Sequence, residues 1–129
     1  MKLLVIDDDP GVQRSLQLVA SIEGWETFSC DQFGDIQGLI RDNAIDVVFC
    51  DYRLGPMITG LELLRQFRDA GLYLPVVMIS ANPSNVDRRL AQELDVHTIL
   101  SKPADVKDVR KALADAAAEA KLAALIGNS

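Results

Sequence analysis

Five short apolar runs alternate with longer stretches of helical periodicity along the chain. The runs cover residues 3–6, 25–30, 45–50, 75–79 and 96–100. Runs that are apolar almost throughout are typical of parallel strands buried on both faces. Parallel strands need crossover connections, which are usually helical and right-handed. The pattern therefore predicts an α/β protein with a doubly wound, flavodoxin-like parallel sheet of five strands, in the order 2-1-3-4-5, and five helices.

Several helix starts are marked by capping residues. The dipeptides Asp9-Pro10 and Asn82-Pro83 predict the starts of the first and fourth helices, because Asp and Asn are good N-caps and proline suits the first helical position. Thr59 and Glu62 have the spacing of a capping box, which predicts the start of the third helix. The second helix is expected over residues 32–41, and the last one is expected to open at Pro103.

Length and charge limit the class of function. With 129 residues, 49% of them hydrophobic, the chain is expected to form one domain over residues 1–129. A net charge of −6 argues against direct partnership with nucleic acid or an anionic membrane surface. Two cysteines without metal spacing and a short apolar N-terminus predict a cytoplasmic location.

Polar residues follow the predicted strands at the point where each strand ends. Asp7 and Asp8 follow the first strand, Asp51 the third, Ser80 the fourth and Lys102 the fifth. The carboxyl ends of parallel strands share one rim of the sheet, so these side chains should lie together. Three neighbouring carboxylates need a positive charge beside them, which a divalent cation would supply. A site with so few protein oxygens suits Mg²⁺ better than Ca²⁺. The set predicts phosphoryl transfer to a carboxylate, with Asp51 as nucleophile.

These motifs resemble the receiver domain of two-component response regulators. The matching stretches are LVIDDDP (4–10), VVFCDYRL (47–54), PVVMISA (75–81) and LSKP (100–103), and GLELL (60–64) fits the start of the family's third helix. The resemblance covers residues 2 to about 118, the expected core of the domain, and leaves 119–129 as an extension of the last helix and a tail. It implies that Asp51 is the phosphoacceptor. It also implies that Asp8 binds Mg²⁺ directly and Asp7 mainly through water. Asp51 and the backbone carbonyl of Arg53 would complete the protein ligands, and Mn²⁺ could substitute.

The resemblance extends to the phosphoryl group, the partners and the switch. It implies that Ser80 and Lys102 contact the phosphoryl group and that the Lys102-Pro103 bond is cis. The donor would be the phospho-His of a histidine kinase or phosphotransfer protein. The fourth helix, fifth strand and fifth helix would meet an output domain or a protein partner, and the chain could also form a homodimer. Such a domain is not an enzyme beyond its own phosphorylation and dephosphorylation.

The chain departs from the family pattern at the switch and in one loop. Ile99 stands where receivers usually carry Tyr or Phe, so the coupling between Ser80 and this switch position is expected to differ. The loop after Asp51 is one residue longer than usual, and it either displays Met57 and Ile58 at the mouth of the site or tucks them against the third helix. Side chains at Arg53 and Asn82 are expected to tune the lifetime of the phosphorylated state.

Two other functions and two local questions stay open at this stage. A degenerate receiver would bind a partner without being phosphorylated. An aspartyl-phosphate phosphatase is disfavoured, because Arg53 stands where such enzymes usually place a second Asp. His97 is expected to be structural or exposed rather than a pH switch. Leu122, Leu125 and Ile126 lie partly off the packing stripe of the last helix, and they either meet a partner or end a frayed helix.

Overall fold

The five predicted strands form one parallel sheet. The computed structural model describes residues 1–127. Its strands are β1 (Lys2–Ile6), β2 (Glu26–Cys30), β3 (Val47–Asp51), β4 (Val76–Ser80) and β5 (Thr98–Ser101), and its α-helices are α1 (Pro10–Ile22), α2 (Ile36–Asp42), α3 (Gly60–Asp69), α4 (Arg88–Glu93) and α5 (Val106–Gly127). The strand order is β2-β1-β3-β4-β5, and every pairing is parallel. The predicted fold class is therefore confirmed.

Each inner strand is buried on both faces because helices cover both sides of the sheet. In β1, Leu4 and Ile6 point into a core shared with α2, α3 and α4, whereas Leu3 and Val5 point into a core shared with α1 and α5. These four side chains have no solvent exposure. Two-sided burial explains why the strands read as continuous apolar runs rather than as alternating patterns.

Strand register brings the ends of the strands to one rim. Ile6 is the register partner of Cys30 on one side and of Cys50 on the other, and Asp51 is the partner of Ile79. The residues that end β3 and β4 and those that directly follow β1 and β5 therefore emerge side by side, as the sequence predicted.

Local hydrogen bonds confirm two of the predicted helix starts. The side chain of Asp9 accepts from the backbone N–H groups of Gly11 and Val12 at 2.8 and 3.4 Å. Thr59 and Glu62 form both bonds of the capping box, so α3 begins at Gly60. These contacts satisfy N–H groups that the first helical turn leaves without partners.

The predicted start of the fourth helix is wrong. Residues Pro83–Asn85 form a single 3-10 turn, and α4 begins only at Arg88. Asn82 makes no side-chain cap, and its carboxamide oxygen accepts instead from the Ser84 hydroxyl at 2.7 Å. The helix is capped by Asp87, whose side chain accepts from the Leu90 N–H at 3.0 Å.

Two other helices begin later than predicted. The side chain of Asp31 accepts from the Phe33 N–H at 2.9 Å and holds residues 31–33 in a turn, so α2 begins at Ile36 rather than near residue 32. At the last helix, the side chain of Asp105 accepts from the Lys107 N–H at 2.8 Å, and α5 begins at Val106 rather than at Pro103. Asp31 thus diverts a backbone N–H group into a turn, whereas Asp105 caps the first turn of α5.

Helix α5 continues through the predicted extension to Gly127. Leu122, Leu125 and Ile126 are exposed there. The hypothesis that they meet a partner stays a prediction, and residues 128–129 of the tail lie outside the described part of the chain. Among the described residues, no helix combines the length and the apolar character that a membrane crossing requires.

Candidate functional site

The structure places three buried polar residues on the rim. Asp7, Asp51 and Ser80 are at most 7% exposed, and they make up the buried polar and charged side chains of the part of the chain that the structure describes. Asp7 follows β1, and the other two end β3 and β4. Burying a charge is costly unless it is paired, so this concentration at one place indicates a functional site rather than a packing solution.

Lys102 supplies the positive charge at this rim. Its Nζ lies 2.9 Å from Oδ2 of Asp7 and 3.0 Å from Oδ2 of Asp51. Burial alone would lower the pKa of Lys102, but hydrogen bonds and charges from the two carboxylates outweigh it and raise that pKa. Lys102 therefore stays charged and holds two carboxylates that would otherwise repel each other.

Asp51 keeps a pKa above that of an ordinary aspartate. Burial is the main cause, and the negative charge of Asp7 adds to it. The contacts with Lys102 and with the Arg53 N–H, which donates to Oδ1 at 3.3 Å, act in the opposite direction. The result is a carboxylate that is oriented from two sides and more basic than usual, which favours a nucleophilic role.

The carboxylates of Asp7, Asp8 and Asp51 could together hold a hard cation. One oxygen from each lies within 4.8 Å of the others, so the three would fit around one ion. Asp8 is exposed. Both oxygens of Asp7 are already engaged, Oδ1 by the Asp9 N–H at 2.9 Å and Oδ2 by Lys102. An all-oxygen set with an exposed carboxylate and a buried, engaged one fits Mg²⁺ held partly through water.

A cleft of about 240 Å³ opens above Asp51. Ser80 and Lys102 line it together with Arg53, Asn82 and Asn85. The Ser80 hydroxyl oxygen accepts from the Asn82 N–H at 3.1 Å, which leaves its own O–H able to donate to a ligand. All the residues predicted for the phosphoryl group therefore border one opening. The Lys102-Pro103 bond is cis, as the resemblance implied.

The two apolar residues of the longer loop after β3, Met57 and Ile58, differ in solvent exposure. Met57 is 88% exposed, whereas Ile58 is partly buried and packs against the core on the side of α2, α3 and α4. The loop is fixed by an antiparallel bridge between Arg53 and Thr59 and by the bond from the Leu54 N–H to the Ile58 carbonyl at 3.3 Å. Only Met57 is displayed beside the site.

The switch position Ile99 lies on β5, and His97 comes directly before that strand. Ile99 is half-buried and packs against the core on the side of α2, α3 and α4. The Nδ1 atom of His97 lies within hydrogen-bond distance of a carboxylate oxygen of Glu119 in α5. This contact ties the start of β5 to α5 and agrees with a structural role for His97.

Three residues of the site were not predicted from the sequence. The Gln13 side chain donates to the carbonyl of Asp7 at 2.5 Å and so secures the chain between β1 and α1. A Cβ at Gly60 would lie 2.6 Å from the carbonyl oxygen of Asp51, so only glycine allows α3 to approach so closely. Asn85 reaches the cleft because of the 3-10 turn. Of the three, only Gly60 belongs to a stretch that resembles the family, GLELL (60–64), and that stretch does not show its close approach to Asp51.

Comparison with known proteins agrees with this geometry. The sequence model of the response regulator receiver domain family matches residues 3–114. The sensor histidine kinase RcsC of Salmonella typhi is 31% identical over 114 residues, which are 88% of this chain and 12% of RcsC. The transcriptional regulatory protein GlrR of Escherichia coli is 28% identical over 114 residues, 88% of this chain and 26% of GlrR.

A solved structure shows the same fold along almost its whole length. The crystal structure of a response regulator receiver domain protein from Clostridium thermocellum superposes with a TM-score of 0.80 at 25% identity. The match covers 94% of this chain and 97% of that one. With the family match over residues 3–114 and the acidic rim above, this chain belongs to the family of response regulator receiver domains.

Proposed function

We propose that Asp51 accepts a phosphoryl group from the phospho-His of a histidine kinase or phosphotransfer protein, in a reaction that depends on Mg²⁺. The observation that carries this proposal is the setting of Asp51. It is a buried carboxylate at the base of an open cleft, held by Lys102 at 3.0 Å and bordered by two further carboxylates. RcsC and GlrR, by their names a sensor kinase and a transcriptional regulator, support a role in signalling.

The transfer step follows from the groups around the cleft. An oxygen of Asp51 forms a bond to phosphorus while the bond from phosphorus to the histidine nitrogen breaks, and the nitrogen keeps the electron pair. Lys102 and the Ser80 hydroxyl offer positive charge and a hydrogen bond to the phosphoryl oxygens. Asp8, Asp51 and the Arg53 carbonyl would hold Mg²⁺, with Asp7 acting through water, and Mn²⁺ could replace it. The bound cation supplies further positive charge for the phosphoryl oxygens.

The phosphorylated state would then select a second conformation. Lys102, which follows β5, would exchange Asp7 and Asp51 for phosphoryl oxygens, and Ser80, at the end of β4, would donate its hydroxyl to them. A ligand that binds one conformation better shifts the population toward it. We expect the change to reach an output domain or a protein partner through α4, β5 and α5, and a homodimer is a further expectation. In this function the chain catalyses only its own phosphorylation and dephosphorylation. The reaction would take place in the cytoplasm.

Intact mass tests the proposal directly. Wild type, Asp51→Asn and the control Asp9→Asn are incubated with acetyl phosphate, with and without Mg²⁺. Asp9 is an exposed helix cap next to the acidic rim, so its loss should leave the reaction intact. One added phosphoryl group that requires both Mg²⁺ and Asp51 is the expected result.

Other outcomes point to the two alternatives. No addition from acetyl phosphate, phosphoramidate or a phosphorylated histidine kinase would favour a degenerate receiver. Steady release of product from p-nitrophenyl phosphate would favour a phosphatase, although Arg53 occupies the position where such an enzyme usually carries its second Asp.

A further inference from the structure

Asn85 lies at a junction of two clefts above the phosphoacceptor. It lines the cleft that contains Asp51 and Ser80. It also lines a second cleft, of about 200 Å³, between the 3-10 turn and the loop that carries Met57. The two clefts share Tyr52, Arg53 and Asn85 in their walls, so they are neighbours.

The 3-10 turn fixes the position of Asn85. The Asn85 N–H donates to the Asn82 carbonyl at 3.0 Å, and the Val86 N–H donates to the Pro83 carbonyl at 3.2 Å. Val86 is 4% exposed, which anchors the turn in the core. The Ser84 hydroxyl bonds to the Asn82 carboxamide oxygen at 2.7 Å and closes the turn from outside. Asn85 therefore keeps a defined place although its side chain is exposed.

The side-chain carboxamides of Asn82 and Asn85 differ in their hydrogen bonding. That of Asn82, at the family's tuning position, is engaged through its oxygen inside the turn. That of Asn85 has no hydrogen-bond partner among the residues that the structure describes, and it borders the cleft. The Asn85 oxygen therefore has both lone pairs available to water, whereas the Asn82 oxygen already uses one for Ser84.

We propose that Asn85 orients the water molecule that hydrolyses the acyl phosphate of Asp51, and so sets the lifetime of the phosphorylated state. This inference rests on the proposed function. In the reaction, a water oxygen forms a bond to phosphorus while the bond from phosphorus to the Asp51 oxygen breaks. The Asp51 carboxylate is restored, and inorganic phosphate and a proton are released.

The geometry of the displacement puts the water within reach of Asn85. Attacking and leaving oxygens stand roughly in line across phosphorus, so water must come from the side opposite Asp51. That side is the open cleft, with Asn85 on the wall formed by the 3-10 turn and Arg53 on the wall formed by the loop after β3. A carboxamide oxygen that accepts a hydrogen bond from water can aim the water's lone pair at phosphorus, as a glutamine does in GTPases.

The test is the rate at which the phosphorylated protein decays. Wild type, Asn85→Ala, Asn85→Gln and Gln92→Ala are phosphorylated with acetyl phosphate and Mg²⁺. The donor is removed by rapid desalting, and loss of the phosphoryl mass is followed with time. Gln92 is an exposed carboxamide on α4 that lines neither cleft, which makes it the matched control. Asn85→Ala should decay about three- to tenfold more slowly, as expected for one lost positioning hydrogen bond.

The other variants separate positioning from folding. Asn85→Gln should recover part of the rate, and Gln92→Ala should decay like wild type. Beryllium trifluoride with Mg²⁺ serves as a phosphoryl mimic that water cannot hydrolyse, and its affinity should be equal in all four proteins. A merely structural role for Asn85 would change that affinity as well as the decay.

Four results would overturn the inference. An Asn85→Ala decay equal to that of wild type means that Asn85 does not position the water. A faster decay means that Asn85 shields the phosphoryl group instead. A weaker affinity of Asn85→Ala for beryllium trifluoride means that Asn85 binds the phosphoryl group or supports the fold. If wild type gains no phosphoryl group, the proposed function fails first, and the inference falls with it.

Discussion

Replacing Lys102 by Met tests the charge balance on which the site depends. Methionine keeps the length of the apolar stem and removes the ammonium that lies 2.9 and 3.0 Å from Asp7 and Asp51. At an effective dielectric constant of about 20, one such contact is worth roughly 5 kcal/mol before desolvation is subtracted. Removing one partner of a buried ion pair costs about 3–5 kcal/mol. The Lys102 side chain is 22% exposed, so we expect the lower end, about 3 kcal/mol.

Urea unfolding at pH 7.5 and pH 5, without Mg²⁺, measures this loss and its cause. Burial raises the pKa of Asp51, and Lys102 works against that rise. In Lys102→Met the folded-state pKa of Asp51 therefore lies still farther above its unfolded value. A carboxyl group with a higher pKa when folded costs stability while it is ionised, and this cost disappears as pH falls through the folded-state pKa. The deficit of the variant should shrink from pH 7.5 to pH 5.

Two further variants complete the test. Asp51→Asn in the Lys102→Met background removes one of the repelling carboxylates and should recover part of the lost stability. The exposed Lys121→Met should leave the free energy of unfolding unchanged. A Lys102→Met protein as stable as wild type, or a deficit equal at both pH values, would refute the reasoning and leave Lys102 with a packing role only.

Three other predictions concern the same rim and the helix beside it. Because burial raises the pKa of Asp51, an NMR titration of its carboxyl group without Mg²⁺ should give a midpoint above that of ordinary aspartate, and an ordinary midpoint would contradict this. A Cβ at Gly60 would lie 2.6 Å from the Asp51 carbonyl and 2.8 Å from Sδ of Met78. In urea unfolding, Gly60→Ala should therefore lose about 1–3 kcal/mol, while Gly34→Ala, whose Cβ meets open space, should not. Thr59→Ala removes the helix cap and should lose about 1 kcal/mol in the same assay, and an unchanged midpoint would show that the capping box contributes nothing.

The sheet could be predicted from sequence because its signal is local. Strands such as Val47–Asp51 and Val76–Ser80 are buried at every position, so each one shows an uninterrupted apolar run. Once the strands are parallel, their register brings the residues at their ends together, and Asp51 and Ser80 follow from that alone. The predicted bounds were off by up to two residues because a strand ends where ladder hydrogen bonds end, not where apolar residues end.

The segment after β4 could not be predicted because its signal fits two structures. Asn82-Pro83 suits the start of an α-helix and that of a 3-10 turn equally well. What separates them is tertiary: Val86 is in an extended conformation with its side chain in the core, and that interrupts the helix before Asp87 caps it again. The contacts of Gln13 and Asn85 depend on how neighbouring loops meet, which residue spacing does not encode.

The charges on the rim explain why the sequence could predict a charged site here but not the contacts within it. Asp7, Asp8 and Asp51 carry three negative charges when ionised, and Lys102 returns one positive charge. Lys102 already contacts both Asp7 and Asp51. A phosphoryl group on Asp51 would add negative charge, and no further positive charge among these four residues would balance it. Either a cation enters or Lys102 changes partners, and both require the site to rearrange. The residue types alone predict an acidic site with a lysine beside it. The distances add that, in this structure, the lysine bridges Asp7 and Asp51.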